Sequence, residues 1–359
     1  MTTSTLPRRR TDAIVDCDIH NAIPAGALRP YLPSRWREHE AAIGMRGHQG
    51  SVYPKGSPGG SRADAWPPSG LPPGGDLDFM RQQLLDAINV EFGMLNCLSG
   101  AGSQLNPEFS AALSHAVNEW QITEWLEKEP RLRAGIVAPQ EHPDLTVAEI
   151  DRMADHPGFA QILLSVRTTE PLGRRRYWPI YEAAVRHNLP IGIHFGGGVR
   201  GNPISAAGWP SYYIEDHTGM PQSFQAQVVS MVCEGIFERF PTLRVVLIEG
   251  GFAWLPPLMW RLDKHWSRLK SEVPHLNRKP SEYIRDHVWF TTQPMEEPPN
   301  PRHLIEVLEH HGAIDKVMFA TDYPHWDYDD PDRALPPGLS KETRQRIFSG
   351  NARELYGLA

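Results

Sequence analysis

Short apolar runs alternate with longer amphipathic stretches along most of the chain. The runs are rich in Val, Ile, Leu and Phe and show no strict alternation of apolar and polar positions, which is typical of strands buried on both faces of a sheet. Eight runs are therefore predicted as strands, at residues 13–19, 92–98, 132–138, 160–166, 190–193, 244–248, 288–292 and 316–320.

Helical patterns separate these runs, and several begin with proline near the first turn, where its missing N–H does no harm. Strands that alternate with helices predict parallel βα units of the α/β class. The natural architecture is a (β/α)₈ TIM barrel, and a doubly wound open sheet is the alternative. The predicted helices lie at residues 107–127, 145–155, 179–186, 223–237, 253–270, 301–311 and 341–349.

Two stretches interrupt the alternation, at about 24–78 and 195–221. Residues 51–78 are so rich in glycine and proline that a regular helix or central strand is excluded. Each stretch follows a strand, so in a barrel both would be long loops over the C-terminal face. A disordered excursion is the alternative for the first. We predict one domain over 13–359, preceded by a tail at 1–12.

Composition narrows the class of protein. The chain has 359 residues, 40% of them hydrophobic, which suffices for a single barrel domain. A net charge of −7 argues against a nucleic-acid surface. The three cysteines form no CxxC pair, so a thiolate zinc site or disulfide framework is not expected. Since no apolar run is long enough to cross a membrane and no signal peptide is evident, we expect a soluble, cytoplasmic protein without membrane contact.

Polar side chains stand at the carboxyl ends of four predicted strands. Asp18 and His20 end strand one and point to the same side of an extended chain, while His194, Glu249 and Asp322 end strands five, six and eight. In a barrel these ends converge on one face. Two imidazoles and several carboxylates suit one divalent ion, Zn²⁺ first, with Mn²⁺ or another ion as the alternative. Taken singly, each residue is weak evidence, because Asp322 or Glu249 would also suit a turn.

The order of these motifs, together with three further segments, resembles a known family. The segments are YWPIYEAA at 177–184, FATDYP at 319–324 and GNA at 350–352. The chain is similar, from about Ile14 to its C-terminus, to the amidohydrolase-related family that includes aminocarboxymuconate-semialdehyde decarboxylase, aromatic-acid decarboxylases and several hydrolases. The resemblance implies a TIM barrel, a homodimer or higher homo-oligomer, and a small-molecule substrate.

The resemblance also implies which residues bind the metal: Asp18, His20, His194 and Asp322. This chain departs from the family pattern at two points. Asp18 stands where many members have His or Glu, and Glu249 stands where the family's decarboxylases usually carry a histidine used in proton transfer. Residues 161–166 contain no lysine for a carbamate bridge between two metals, so a mononuclear site is expected.

Because of Glu249, the favoured function is metal-dependent hydrolysis of a small amide, ester, lactone or similar acyl compound through a metal-activated water. Asp322 would bind the metal and accept the water proton, and Glu249 would be a second acid/base or a further ligand. His325 and His217 are candidate donors to the leaving group. Trp326 and His217 are candidate contacts of the substrate.

The alternative is non-oxidative decarboxylation of an aromatic or unsaturated acid. Arg167 and Arg200 both follow strand ends and are candidates to hold a substrate carboxylate, although a surface position is the plainer expectation for each. A hydratase and a non-catalytic metal-binding relative are the less favoured alternatives. The residues do not identify the substrate, since barrel loops set specificity.

Overall fold

The computed structural model describes residues 12–43, 60–196, 202–312 and 314–358, so Arg200 lies outside the described residues. The eight strands are parallel and follow the chain order from β1 to β8. Each predicted run overlaps one strand. The strands are β1 Ile14–Ile19, β2 Val90–Leu95, β3 Leu132–Val137, β4 Phe159–Ser165, β5 Ile191–His194, β6 Val245–Ile248, β7 Val288–Thr291 and β8 Val317–Met318.

Backbone hydrogen bonds between the first strand and the end of the last close the sheet. The amide of Cys17 donates to the carbonyl of Phe319 at 3.0 Å, and the amide of Asp322 donates to the carbonyl of Asp18 at 3.1 Å. A further bond joins the amide of His20 to the carbonyl of Tyr323 at 2.8 Å. The TIM barrel is therefore confirmed, and the open doubly wound sheet is wrong.

Helices occupy all seven predicted stretches, and helices α2, α6, α1, α10 and α13 were not predicted. The first two are short and lie in or beside the long loops, where no amphipathic period is long enough to detect. The helices are α1 Ser34–Ile43, α2 Leu77–Met80, α3 Pro107–Gln121, α4 Pro143–Met153, α5 Trp178–Arg186, α6 Tyr213–Gly219, α7 Pro221–Cys233, α8 Ile236–Arg239, α9 Leu255–Leu269, α10 Pro280–His287, α11 Pro301–His311, α12 Lys341–Gln345 and α13 Asn351–Tyr356.

Local capping explains where several helices begin. Asn106 precedes Pro107 and accepts a hydrogen bond from the amide of Phe109 at 3.0 Å, which caps α3. Ser340 caps α12 in the same way, through the amide of Thr343 at 3.0 Å. No helix in the described ranges is both long and apolar enough to cross a bilayer.

The described parts of both long loops lie over the carboxyl ends of the strands and meet at Trp326. The Trp326 amide donates to the carbonyl of Gly60 in the first loop at 2.7 Å, and its indole N–H donates to the hydroxyl of Tyr213 in the second at 3.1 Å. The first loop is anchored again where the amide of Ala22 donates to the carbonyl of Gly74 at 3.0 Å. The single domain over 13–359 and the tail at 1–12 stay predictions.

The opposite face of the barrel holds a buried carboxylate that offers a test of stability. Glu129, just before β3, accepts hydrogen bonds at 2.8 Å from the Nε atoms of both Arg81 and Arg131. We expect Glu129→Ala to lower the free energy of unfolding by about 2 kcal/mol, because two partly exposed guanidinium groups lose a buried, charged acceptor. Urea unfolding at pH 7 measures this. Asp78→Asn is the matched control, since Asp78 pairs with the same Arg81 but is 81% exposed, and it should cost less than about 0.5 kcal/mol.

The contribution of Glu129 should also depend on pH. Hydrogen bonds from Arg131 lower the pKa of Glu129 to about 2, although burial acts in the opposite direction. A carboxyl group with a lowered pKa in the folded state stabilises the fold above its unfolded pKa of about 4.3, and loses that contribution as the pH falls towards 2. The difference between the wild type and Glu129→Ala should therefore shrink in acid, and a difference that grows in acid would contradict this account.

Candidate active site

Four side chains from three strand ends meet at the carboxyl end of the barrel. Nε2 of His20 lies 2.8 Å from Oδ1 of Asp322 and 3.4 Å from Oδ1 of Asp18. Nε2 of His194 lies 3.2 Å from Oδ2 of Asp18. All four are buried, and the structure thus brings together the ligands expected from the sequence. Their role as metal ligands stays a prediction.

Glu249, at the end of β6, belongs to the same cluster. Its Oε2 atom lies 3.5 Å from Nε2 of His194. Donor atoms of Asp18, His20, His194 and Glu249 all lie within 4.8 Å of one another, which is close enough to share one cation. Glu249 is therefore positioned as a further ligand or as an acid/base beside the ion.

The two imidazoles are held in the tautomer that binds metals through Nε2. Nδ1 of His20 lies 2.7 Å from the carbonyl of Asn96, and Nδ1 of His194 lies 2.5 Å from the carbonyl of Phe195. Because a carbonyl oxygen can only accept, each Nδ1 must carry the proton. In the neutral rings, each Nε2 then has a lone pair free for a cation bound between the carboxylates, which is the usual arrangement around a metal-binding histidine.

A chain of polar side chains through the barrel interior orients Asp18. Its Oδ1 atom accepts a hydrogen bond from Nδ2 of Asn96 at 2.9 Å. Oδ1 of Asn96 accepts from Nε2 of Gln161 at 2.7 Å, and Oε1 of Gln161 accepts from the hydroxyl of Tyr356 in the last helix at 2.9 Å. The sequence analysis missed these three residues. Asn96 lies within predicted strand two, so considering its position in the barrel would have singled it out.

The electrostatics of the cluster favour a bound cation. Burial alone lowers the pKa of His20, but the charge of Asp18 and the hydrogen bond to Asp322 outweigh it and raise that pKa to about 9. Burial also opposes ionisation of Asp322, yet His325 and His20 hold its pKa below the ordinary range, so this carboxylate stays charged. Without a metal, a proton on His20 takes the place of the cation.

Two of the clustered carboxylates stand on strained backbone. Glu249 and Asp322 both have φ of 60°, in the left-handed region that residues other than glycine seldom adopt. Such conformations cost about 1–3 kcal/mol and persist where the surrounding structure enforces them, often at functional sites. This backbone conformation directs the two side chains into the cluster, at the points where β6 and the segment after β8 leave the barrel.

We expect this strain to reverse the usual order of stability between a glycine variant and an alanine variant at Glu249. In metal-free protein, Glu249→Gly should be more stable than Glu249→Ala by about 1 kcal/mol, because only glycine adopts this φ freely. Thermal unfolding measures the difference. Glu309, exposed within helix α11, is the matched control, and there the glycine variant should be the less stable by about 1 kcal/mol. A more stable alanine variant at Glu249 would show that the position is unstrained.

His325 and His217, the two candidate proton donors, lie on either side of the cluster. Nδ1 of His325 lies 2.6 Å from Oδ1 of Asp322, and its ring lies 4.4 Å from that of His20. Nε2 of His217 lies 3.0 Å from Oδ2 of Asp327. Trp326, the candidate substrate contact, is 54% exposed, and its ring lies 5.3 Å from that of His217.

Gln293 and Asp327 were missed by the sequence analysis. Nε2 of Gln293 donates to Oδ2 of Asp327 at 2.9 Å and lies 3.2 Å from Oδ2 of Asp322. Gln293 follows β7 directly, so its place after a strand end was the available signal. Asp327 follows Asp322 in an irregular segment, and no sequence pattern distinguishes it from a surface aspartate.

Arg167, one of the two candidates for holding a substrate carboxylate, is paired with a carboxylate of the protein itself. The Arg167 guanidinium is buried against Asp216, with Nη2 2.6 Å from Oδ1, and it is thus already engaged by a carboxylate. Arg200 lies outside the described residues. A cavity of about 680 Å³ opens beside His20 and His325 instead, and it includes Arg29. Its walls also include the apolar side chains of Ile23, Leu28, Leu98 and Leu113.

Comparison with known proteins agrees with this architecture. Among curated proteins, a gamma-resorcylate decarboxylase of Polaromonas sp. is 24% identical over 299 residues, covering 79% of this chain and 88% of the relative. A 2-keto-4-carboxy-3-hexenedioate hydratase of Sphingobium sp. is 22% identical over 378 residues, covering 96% of each.

A solved structure shares the fold across almost the whole chain. It is a dihydroxybenzoic acid decarboxylase from Polaromonas sp. JS666 with bound manganese and the inhibitor 2-nitroresorcinol. Its TM-score is 0.69 at 19% identity, with 97% of this chain and 98% of that chain covered. The amidohydrolase family itself matches residues 15–358, which include every strand of the barrel except the first residue of β1. The resemblance noted in the sequence is therefore confirmed, and this protein belongs to the amidohydrolase family.

Proposed function

We propose that this protein is a metal-dependent decarboxylase that removes CO₂ from a small aromatic or unsaturated carboxylic acid. The observation that carries the proposal is the buried cluster of Asp18, His20, His194 and Asp322, in which His20 also lines a cavity with apolar walls. The relatives support the same reaction class, because decarboxylases of aromatic acids dominate them. Hydrolysis, which the sequence analysis favoured because of Glu249, has no support from the relatives beyond the family itself.

The residues present fit a divalent metal ion. They offer imidazole nitrogen and carboxylate oxygen atoms, the imidazoles have their Nε2 atoms turned inward, and the surplus of carboxylates calls for a positive charge. Mn²⁺ is our first choice, since a structural neighbour contains manganese, and Zn²⁺ is the second. A bound divalent ion would supply positive charge that orients the substrate carboxylate and an adjacent oxygen.

The protein's own residues supply the proton for the reaction and the walls of the substrate cavity. In the reaction, the bond between the substrate carbon and its carboxylate breaks, the electron pair stays on the carbon, CO₂ leaves, and one proton adds to that carbon. His325 lines the cavity, and its Nδ1 atom is anchored to the charged Asp322. We assign delivery of the proton to His325, because it lines the cavity, and we assign Asp322 the role of orienting its ring through Nδ1.

The remaining walls define the kind of substrate. Apolar side chains from the loop after β1 and from α3 enclose enough space for a single ring with its substituents. Arg29 lines the same cavity and is the counter-charge we assign to a second polar substituent. We expect a small-molecule substrate and no macromolecular one.

Product analysis of the protein loaded with Mn²⁺ tests the proposal. A panel of hydroxybenzoates and unsaturated di- and tricarboxylic acids is incubated in D₂O, and in a parallel series in water labelled with ¹⁸O. We expect CO₂ release and one deuterium at the carbon that carried the carboxylate. Entry of ¹⁸O into the product without CO₂ would instead identify addition of water or hydrolysis.

Addition of water is the second candidate, and one observation favours it. A hydratase relative aligns over 96% of both chains, and this chain has the carboxylate of Glu249 within the metal cluster. A carboxylate beside a metal site can accept a proton from water. In the ¹⁸O experiment, a labelled hydroxyl on an unsaturated acid that retains all its carboxylates would establish this reaction.

A further inference from the structure

We propose that His217, Glu249 and Asp327 form a second divalent-cation site, adjacent to the first and sharing Glu249 with it. One donor atom from each residue lies within 4.8 Å of the other two. Helix α6 in the second long loop supplies His217, the end of β6 supplies Glu249, and the segment after β8 supplies Asp327. This site goes beyond the proposed function, which needs only one ion.

The spacing of the donor atoms matches that of ligands around one ion. Bonds of about 2.1 Å place neighbouring ligands about 3.0 Å apart in octahedral and about 3.4 Å apart in tetrahedral geometry. Nε2 of His217 lies 3.0 Å from Oδ2 of Asp327. The first cluster shows the same spacing, with 2.8 Å between His20 and Asp322 and 3.2 Å between His194 and Asp18.

The donors of the second cluster are held in place by their neighbours. Gln293 donates from Nε2 to Oδ2 of Asp327 and also contacts Oδ2 of Asp322, so one amide group links the carboxylates of the two clusters. The ring of His217 packs against those of Tyr213 and Trp326, with centroids 5.4 and 5.3 Å away. Little rearrangement is needed to bind an ion.

The side-chain carbonyl oxygen of Gln293 provides a second and independent observation. Gln293 is fully buried, and its Oε1 atom has no hydrogen-bond partner among the residues that the structure describes. A buried carbonyl oxygen without a partner is costly. The same amide contacts Asp327 through Nε2 at 2.9 Å, and a cation bound at this cluster, or a water molecule bound to that cation, would offer Oε1 a partner.

The carboxylate charge favours a second divalent ion. Asp18, Asp322, Glu249 and Asp327 bring four carboxylates into two adjoining clusters. One divalent ion balances two of these charges, and a second ion would balance the other two. A neutral site would also admit a carboxylate substrate without repulsion. Of the arguments for the second site, only this one rests on the proposed function.

Sharing of Glu249 gives the pair of ions a bridge that the sequence analysis did not consider. The sequence analysis predicted one metal ion because residues 161–166 contain no lysine for a carbamate bridge. Glu249 belongs to both donor groups, and a bridging carboxylate holds two ions about 3.5–4 Å apart in known two-metal sites. The bridge here would come from β6 and not from β4.

Binding of Mn²⁺ alone to the full chain tests the second site without any substrate. Bound metal is counted by equilibrium dialysis and elemental analysis, and electron paramagnetic resonance reports whether two Mn²⁺ ions are coupled. We expect two equivalents and a coupled signal for the wild type. His217→Ala and Asp327→Asn should each bind one equivalent, with an uncoupled signal. The equivalent retained at the first site shows that these variants are folded.

The matched control is His187→Ala. His187 pairs with Asp151 at 2.7 Å on the barrel surface, so its loss removes a similar contact and should leave two equivalents bound. One equivalent or fewer in the wild type at millimolar Mn²⁺ would overturn the second site, as would an unchanged count in both His217→Ala and Asp327→Asn. Failure to release CO₂ leaves this count unaffected, so the two proposals are judged separately.

Discussion

Replacing Asp322 with Asn is expected to lower kcat for CO₂ release by about a thousand-fold or more. The amide lacks the negative charge that a metal ligand needs here. It also loses the charge that holds His325, whose Nδ1 atom lies 2.6 Å from Oδ1 of Asp322. The amide group of Asn would in addition meet Nε2 of Gln293, which lies 3.2 Å from Oδ2, with a donor facing a donor. Steady-state kinetics with Mn²⁺ present measure the change.

The control for Asp322→Asn is Asp330→Asn in the same segment. Asp330 is exposed and accepts a hydrogen bond from the amide of Asp332 at 2.9 Å, so this variant makes the same chemical change outside the site. We expect kcat within twofold of the wild type. Thermal unfolding of both variants separates lost catalysis from lost folding. A folded Asp322→Asn variant that kept a tenth of the wild-type activity would contradict the role given to this carboxylate.

Removal of the divalent metal with a chelator is expected to abolish turnover and to lower the melting temperature. The carboxylates of Asp18, Glu249 and Asp322 then face each other without the ion, and binding energy that stabilised the fold is lost. The linked stabilisation is about 2.7 kcal/mol when the free metal concentration is a hundred times Kd. Adding Mn²⁺ back should restore both activity and melting temperature, and calorimetry with parallel kinetics measures both.

His194→Ala is the variant that tests where the restored metal binds. The ring of His194 contacts Asp18 at 3.2 Å and Glu249 at 3.5 Å, so its loss opens the centre of the first cluster. Adding Mn²⁺ should then fail to restore activity and should raise the melting temperature less than in the wild type. His310→Ala, on the exposed end of α11, is the control and should recover both. Recovery of activity in His194→Ala, or wild-type activity after complete metal removal, would reject the metal site.

The barrel could be predicted from local sequence because strands buried on both faces form continuous apolar runs. All eight runs became strands, and the order of the chain became the order of the sheet. The ends of parallel strands necessarily share one face, so Asp18, His20, His194 and Asp322 could be grouped before their distances were known. A single rule of strand geometry thus related residues that are far apart in the chain.

The rule that strand ends share one face does not apply to irregular segments. His217 and Asp327 contact each other through a long loop and the segment after β8, and the loop path that joins them has no periodic signal. Arg167, which also follows a strand, was expected at the surface or against a substrate carboxylate, but it is buried and Asp216 from helix α6 engages it. Partners that arrive from loops are determined by packing of the whole chain.

The sequence by itself indicated the barrel and the candidate metal ligands, because apolar periodicity and the ends of strands are local features, and the resemblance of its motifs indicated the family. Only the tertiary structure showed that Gln161 and Asn96 connect Tyr356 to Asp18 through the barrel. It alone also showed that Gln293 joins the two carboxylate clusters. Hydrogen bonds between distant side chains depend on distances of a few ångströms, and these are established only when all eight strands and their loops have packed.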